Sequence, residues 1–305
     1  MDAIRRTPPR PIDVTAVFPQ LAPLARTAIR LHPRPGSPSP RDSSVGGPLL
    51  WPADEPWPYC DERHEWYDEQ AGEQRVGPNA MLPVAQLYVR DVPLLRPPGQ
   101  ADLLQVLWCP CEHPPEYKPP TALVWRTAAE VTGILAAPPE PSVLEYGDNY
   151  VPEPCLLTPE QVTEYPNVLA LDQETQRQVE DWNTWQAAGV AMDTSYEDGP
   201  HEYYLDALSV APGWKVGGCP PWGLTDPVAR FCAECGAGMS PLLTIASDEW
   251  LPDGHSWIPY EDQALTTLDD PGTANPPKVQ VSKGNHLQLY VCPESPDHPH
   301  TDLIQ

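Results

Sequence analysis

Apolar residues along this chain fall into short blocks of strand-like spacing, interrupted by turn-forming sequence, with one stretch of helical spacing between them. LPVAQLYV (82–89), DLLQVLWC (102–109) and HLQLYVC (286–292) carry Leu, Val and aromatic residues in the pattern of strands covered on at least one face. ARTAIRLH (25–32) alternates and predicts another strand, and Tyr203 to Ala211 predicts one more. Helical spacing is clearest in DQETQRQVEDWNTWQAAG: Asp172 can cap, Glu174 lies in the first turn, Val179, Trp182 and Trp185 fall three apart, and Gly189 ends the element. Val14 to Leu24 is also helical in spacing but holds two prolines, so it predicts a short broken helix. Residues 1–12 read as a frayed tail and Pro33 to Arg41 as a loop.

The strand blocks recur. VGGPLLW (Val45 to Trp51) matches VGGCPPW (Val216 to Trp222), and Cys60 then falls 13 residues after Gly47 where Cys232 falls 14 after Gly218. MLPVAQLYVRD (Met81 to Asp91) aligns without gaps to MSPLLTIASDE (Met239 to Glu249), and LQVLWCP (Leu104 to Pro110) to LQLYVCP (Leu287 to Pro293). Four blocks in one order indicate an internal duplication. The copies differ mainly between the third and fourth blocks, where the second has a longer loop around Trp250 to Pro277. The expected architecture is mainly β (α+β), a tandem duplication of a β-rich module with a helical insert between the copies. Its parts are an N-terminal segment (1–30), a first repeat (31–136), a connecting segment with a helix (137–200) and a second repeat (201–305).

Composition narrows the possible partners. With 43 acidic against 18 basic residues the formal charge is -25, which would repel a phosphate backbone and steer in a basic protein. The 44 prolines favour short strands joined by rigid turns. No apolar run approaches the ~18 residues of a membrane span, and the polar, Pro-rich start lacks a secretory h-region, so a cytoplasmic protein with reduced thiols is expected.

Duplication also organises the cysteines and histidines. In the second copy Cys232 and Cys235 form a C-x-x-C knuckle able to hold one tetrahedral zinc, with Cys292 and either His298 or His300 completing the set. In the first copy Cys60 and Cys109 are each followed four residues later by a histidine, His64 and His113, so two C-x3-H pairs would converge on a Cys2His2 tetrahedron if their strands are neighbours. Cys111 competes with Cys109, and a first copy without metal would keep Cys109 as a buried core thiol. Ser295 stands where a second complete C-x-x-C would place its last cysteine. A zinc with three protein ligands and a water would permit hydrolysis, although no H-E-x-x-H motif supplies a base. Elsewhere, WPADEPWPYCDERHEWYDE (51–69) mixes carboxylates with aromatics, a composition suited to gripping Lys or Arg by ion pairing and cation-π contact. Trp51, Asp54, Glu55 and Trp57, with Trp222 of the second copy, are therefore candidate partner-binding residues. Nucleophile-elbow, P-loop and dinucleotide-binding motifs are missing.

KVGGCPPW, FCAECGAGMSPLLTIAS and LQLYVCP, with SSVGGPLLWPADEPWP and MLPVAQLYVRD in the first copy, resemble the YwqG-like family of bacterial proteins. The second copy also looks like the amino-terminal part of the eukaryotic programmed-cell-death-two proteins and their ribosome-biogenesis relatives. The resemblance covers about residues 43–125 and 205–305 and departs from the eukaryotic pattern after Cys292, in CPESPDHPH. It implies a duplicated β-rich fold with one or two structural zinc ions, an adaptor or client-chaperone role toward a basic protein, such as a ribosomal protein, and no catalytic residues. Neutralisation of a toxin, as an immunity protein, and a metal-dependent hydrolase or small-ligand enzyme with an open zinc site are the alternatives.

Overall fold

The computed structural model describes residues 5–68, 71–144, 149–191, 196, 199–250, 255–264 and 271–305. In chain order its strands are β1 (Arg26–Arg30), β2 (Arg34–Pro35), β3 (Ser44–Val45), β4 (Tyr59–Asp68), β5 (Glu73–Ala80), β6 (Leu82–Tyr88) and β7 (Leu103–Trp108). After these come β8 (Thr121–Arg126), β9 (Cys155–Leu156), β10 (Glu160–Glu164), β11 (Lys215–Gly217), β12 (Ser240–Ala246), β13 (His286–Val291) and β14 (Thr301–Ile304). Two six-stranded sheets run in the orders β10-β1-β11-β12-β13-β14 and β2-β9-β3-β6-β7-β8, and β4 with β5 forms a separate hairpin. The fold is mainly β, with antiparallel pairing throughout the named strands.

The two sheets repeat each other in register. Ser44 and Val45 face Gln86 and Ala85, as Lys215 and Val216 face Thr244 and Leu243. Between the next two strands an irregularity falls at Pro83/Ala85 in one sheet and at Pro241/Leu243 in the other, because a proline has no N–H to give the ladder. The Gln of each LQ block bonds directly across its sheet: Gln105 Nε2 donates to Gln86 Oε1 at 2.9 Å, and Thr244 Oγ1 donates to Gln288 Oε1 at 2.7 Å. At the paired glycine turns Gly46 has φ +62° and Gly217 and Gly218 φ +73°, a region that L residues enter at a cost of about 1–2 kcal/mol.

What joins the sheets is outside the repeated blocks. The chain leaves β1 in the first sheet and enters β2 in the second, and later leaves β9 in the second and enters β10 in the first. One buried cluster consequently takes residues from both sheets, including Ile29, Val84, Val106, Trp214, Leu243 and Leu289. A buried ion pair joins the two strands that flank β1: Lys215 Nζ of β11 lies 2.6 Å from Glu164 Oε1 of β10, with both side chains inaccessible to solvent. Glu164 also accepts the N–H groups of Ala211 and Cys219. A Cβ on Gly218 would lie 2.3 Å from Glu164 Oε2, so glycine is required there for space as well as for φ.

The helical part forms a second core. The broken helix is present as α1 (Val14–Val17) followed by a 3-10 turn at Pro19–Leu24. The connecting helix is two helices, α2 (Gln173–Val179) and α3 (Trp182–Ala187), since Asp181 accepts the Asn183 N–H and restarts the element as a new cap. The strand expected over Tyr203 to Ala211 is instead helical, α4 (Pro200–Tyr203) running into a wider turn at Tyr204–Leu208. Its buried residues Tyr203, Tyr204, Ala207 and Leu208 recur every three to four positions and pack with Phe18 and Trp185, and Pro200 in the first turn is the signal that the alternation obscured. Of the expected tail, residues 1–4 lie outside the described residues, while the rest is anchored. Thr7 N–H donates to Glu160, and the Arg10 guanidinium lies 3.3 Å from the Trp257 ring centroid.

Candidate metal centres

Each repeat brings four sulfur and nitrogen atoms to one point. Along the otherwise exposed start of β4, Cys60 and His64 are the two buried positions. Cys109 follows the last residue of β7, and His113, four residues on, is held by its own N–H to Lys118 O and by Tyr117 N–H to its O. His64 Nε2 lies 3.1 Å from Cys109 Sγ and 3.1 Å from His113 Nε2, and His113 Nε2 lies 3.5 Å from Cys109 Sγ and 3.9 Å from Cys60 Sγ. In the second repeat Cys232 and Cys235 flank a turn in which Gly236 takes φ +73° and donates to Cys232 O. Cys292 follows β13, and the His298 N–H bonds Ser295 O, folding the loop back. Cys232 Sγ then lies 3.5 Å from His298 Nδ1, and Cys235 Sγ 3.5 Å from Cys292 Sγ.

Within each group all four ligand atoms lie within 4.8 Å of one another. A tetrahedron has edges about 1.6 times its radius, so bonds of about 2.3 Å to sulfur and 2.0–2.1 Å to nitrogen require edges of about 3.3–3.8 Å. The distances above bracket that range, so both clusters can hold a metal ion. Corresponding positions carry the thiols, Cys60 with Cys232 and Cys109 with Cys292, while the remaining pair changes from His64 and His113 to Cys235 and His298.

The four corresponding cysteines share a backbone device. Cys60, Cys109, Cys232 and Cys292 each receive the N–H two residues on, from Glu62, Cys111, Glu234 and Glu294. Such donors favour thiolate, the ligating form. At Cys292 burial pushes the thiol up, but the N–H groups of Ser295 and Glu294 with the Cys235 and His298 side chains outweigh it and bring the thiol down to about 6. Cys60 is brought down to about 7, first by its contact with Cys109 against the opposing effect of burial, while Cys109 is pushed up by Cys111, Cys60 and burial. Cys155 and Cys219, outside both clusters, are pushed up to about 12, first by burial, and behave as inert core thiols. Cys111 is buried beside Asn79 but is not in the four-atom group.

Two expectations are corrected. His300 does not join the second cluster; its Nε2 lies 2.9 Å from Thr121 Oγ1, so it ties the loop before β14 to the start of β8. The acidic aromatic loop does grip an arginine, but one of this chain. Arg126 makes a bidentate pair with Glu55 at 2.6 and 2.7 Å and lies 4.2 Å from the Trp51 ring centroid, while Trp51 is 3 % exposed. Trp57 packs on Trp51, donates to Met81 O and is half-buried. Asp54 is exposed and Trp222 half-buried. Glu69, the last residue of that stretch, lies outside the described residues, as do 251–254 and 265–270 of the second copy's long loop. The residues missed from sequence are Arg126, whose partners are remote in the chain, and the N–H donors of the knuckles, although Cys-x-Glu occurs at three of the four.

Compared with models of known protein families and with curated proteins, the chain matches none. No helix among the described residues is long and apolar enough to cross a membrane.

Proposed function

We propose that this protein is a non-enzymatic protein-binding module, stapled by two structural zinc ions, whose acidic surface meets a basic polypeptide partner. The observation that carries the reading is that each cluster offers four side-chain donors at tetrahedral spacing, which leaves no coordination position for a water or substrate. Mixed thiolate and imidazole sets of that geometry favour zinc over harder ions. Cys60, His64, Cys109 and His113 would hold one ion, and Cys232, Cys235, Cys292 and His298 the other. Bound there, zinc would supply cross-linking, tying the β4–β5 hairpin to the end of β7, and the Cys232–Cys235 turn to the end of β13. The excess of 43 acidic over 18 basic residues supports a cationic partner, and the resemblance to YwqG-like and programmed-cell-death-two proteins supports an adaptor or chaperone role.

Affinity capture from the native host, followed by mass spectrometry, tests the partner. Enrichment of a basic protein over a charge-matched acidic control is expected, and equal recovery on both baits would overturn the reading. Chelation tests the staple: loss of cooperative unfolding is expected, whereas a metal removed without change in unfolding would speak for an open, chemical site.

A further inference from the structure

Sheet edges in soluble proteins are normally blunted, because their unpaired N–H and C=O groups invite another strand. The first sheet obeys this rule at β14, whose outward Asp302 C=O is taken by Lys118 Nζ and Arg230 Nη2, each at 3.2 Å. The edge of the second sheet differs. β8 pairs only with β7, and Cys109 N–H to Pro120 O at 2.9 Å sets the alternation, so that 120, 122, 124 and 126 bond inward while Thr121, Leu123 and Trp125 turn their backbone groups outward. His300 closes the Thr121 end. Among the described residues nothing bonds the N–H or C=O of Leu123 or Trp125.

A groove of about 770 Å³ runs along this edge, walled on the far side by the Pro296–His300 segment that carries the metal ligand His298. Three carboxylates line it, Glu55, Glu130 and Asp297, and of these Glu130 and Asp297 have no cationic partner among the described residues. Its one arginine, Arg126, is already neutralised by Glu55. The groove therefore presents backbone donors and acceptors in strand geometry together with unpaired negative charge.

We propose that the β8 edge accepts an extended, Lys- or Arg-bearing segment of the partner polypeptide as a seventh strand, through the backbone of Leu123 and Trp125, with its cations beside Glu130 and Asp297. This rests on the basic-partner reading and gives it a location. Backbone pairing supplies affinity in this mode, and alternate side chains supply selectivity.

The test uses the zinc-loaded full chain and a synthetic 10-residue peptide of alternating Lys and Val. Titration followed by amide NMR is expected to shift the Leu123 and Trp125 signals and slow their hydrogen exchange. The same peptide N-methylated at alternate residues keeps its charge but loses its donors, and is expected to bind at least about tenfold more weakly. Leu123→Pro removes an outward N–H without touching the β7 ladder and is expected to abolish binding. The methylated peptide keeps the test decisive if that variant fails to fold. Equal binding of both peptides, or shifts confined to another surface, would overturn the proposal. So would a peptide-free dimer in which the Leu123 and Trp125 amides are already protected, since the occupant would then be a second copy. If captured basic proteins survive Leu123→Pro unchanged, the edge is wrong and the basic-partner reading stands; if the wild-type chain enriches none, that reading falls first.

Discussion

Replacing Lys215 by Met should destabilise the fold far more than its position in a two-glycine turn suggests. Lys215 and Glu164 are both inaccessible to solvent, and Glu164 Oε1 receives Lys215 Nζ at 2.6 Å as well as the Ala211 N–H at 3.0 Å, while Oε2 receives the Cys219 N–H at 2.7 Å. Lys215→Met leaves two backbone donors satisfied but strands a buried carboxylate without its cation, a change that costs about 3–5 kcal/mol. Screening offers no discount, because neither side chain meets water. Glu164→Gln should cost a similar amount by stranding the ammonium. The double variant should fall short of the sum by at least about 2 kcal/mol, since neither charge remains to be stranded. Urea denaturation at fixed, saturating zinc measures all four corners of this cycle. A single-variant cost below about 1 kcal/mol, or additivity within about 0.5 kcal/mol, would refute the account of Lys215 and Glu164 as a dry, interdependent pair.

Other variants test the turn, the ligands and the acid response. Gly218→Ala, whose Cβ would meet Glu164 Oε2 at 2.3 Å at a φ of +73°, should lower stability by about 2–4 kcal/mol, while Gly223→Ala, with nothing within 4 Å, should stay within about 0.5 kcal/mol; equal effects would remove the steric argument. Elemental analysis should find two zinc ions per chain, one in Cys109→Ser and one in Cys292→Ser, whereas His300→Ala should keep both; loss of an ion from the last variant would restore His300 as a ligand. Buried His286 and His32 are held down, to about 4 and about 3, first by burial and then by Lys215 and Arg30 respectively. The unfolded chain therefore takes up these protons from about pH 6.5 while both folded imidazoles stay neutral, so their contribution to stability is full above pH 6.5 and is lost as the pH drops toward 4. His286→Gln should flatten that slope by an amount on the order of 3 kcal/mol over the interval, and an unchanged slope would refute the assignment.

Much of this molecule is written in local sequence, and the physical reason is spacing. The strand blocks at Met81 and Met239, and at Leu104 and Leu287, carry their periodicity with them, so their registers coincide down to the irregularity at Pro83 and Pro241 and the bonded glutamines Gln105 and Gln288. Cys232 and Cys235, or Cys60 and His64, are near neighbours whose pairing follows from short turns or strand alternation. Whatever depended on a partner far along the chain was settled by tertiary structure. His298 and His300 are two residues apart and chemically alike, and only the packing of the loop before β14 against Thr121 draws the second away from the cluster. Trp51 and Glu55 form an arginine clamp in composition, yet which arginine fills it is decided by β8, which brings Arg126 to them across about 70 residues of chain. The crossing of β1 into β2 and of β9 into β10 has no sequence signature, since either strand would satisfy its hydrogen bonds on either sheet. Sequence by itself determined the two modules and the thiols that can staple them. Tertiary structure decided how the modules interlock, which histidine completes the second cluster, and which sheet edge is left open beside the carboxylates of Glu130 and Asp297.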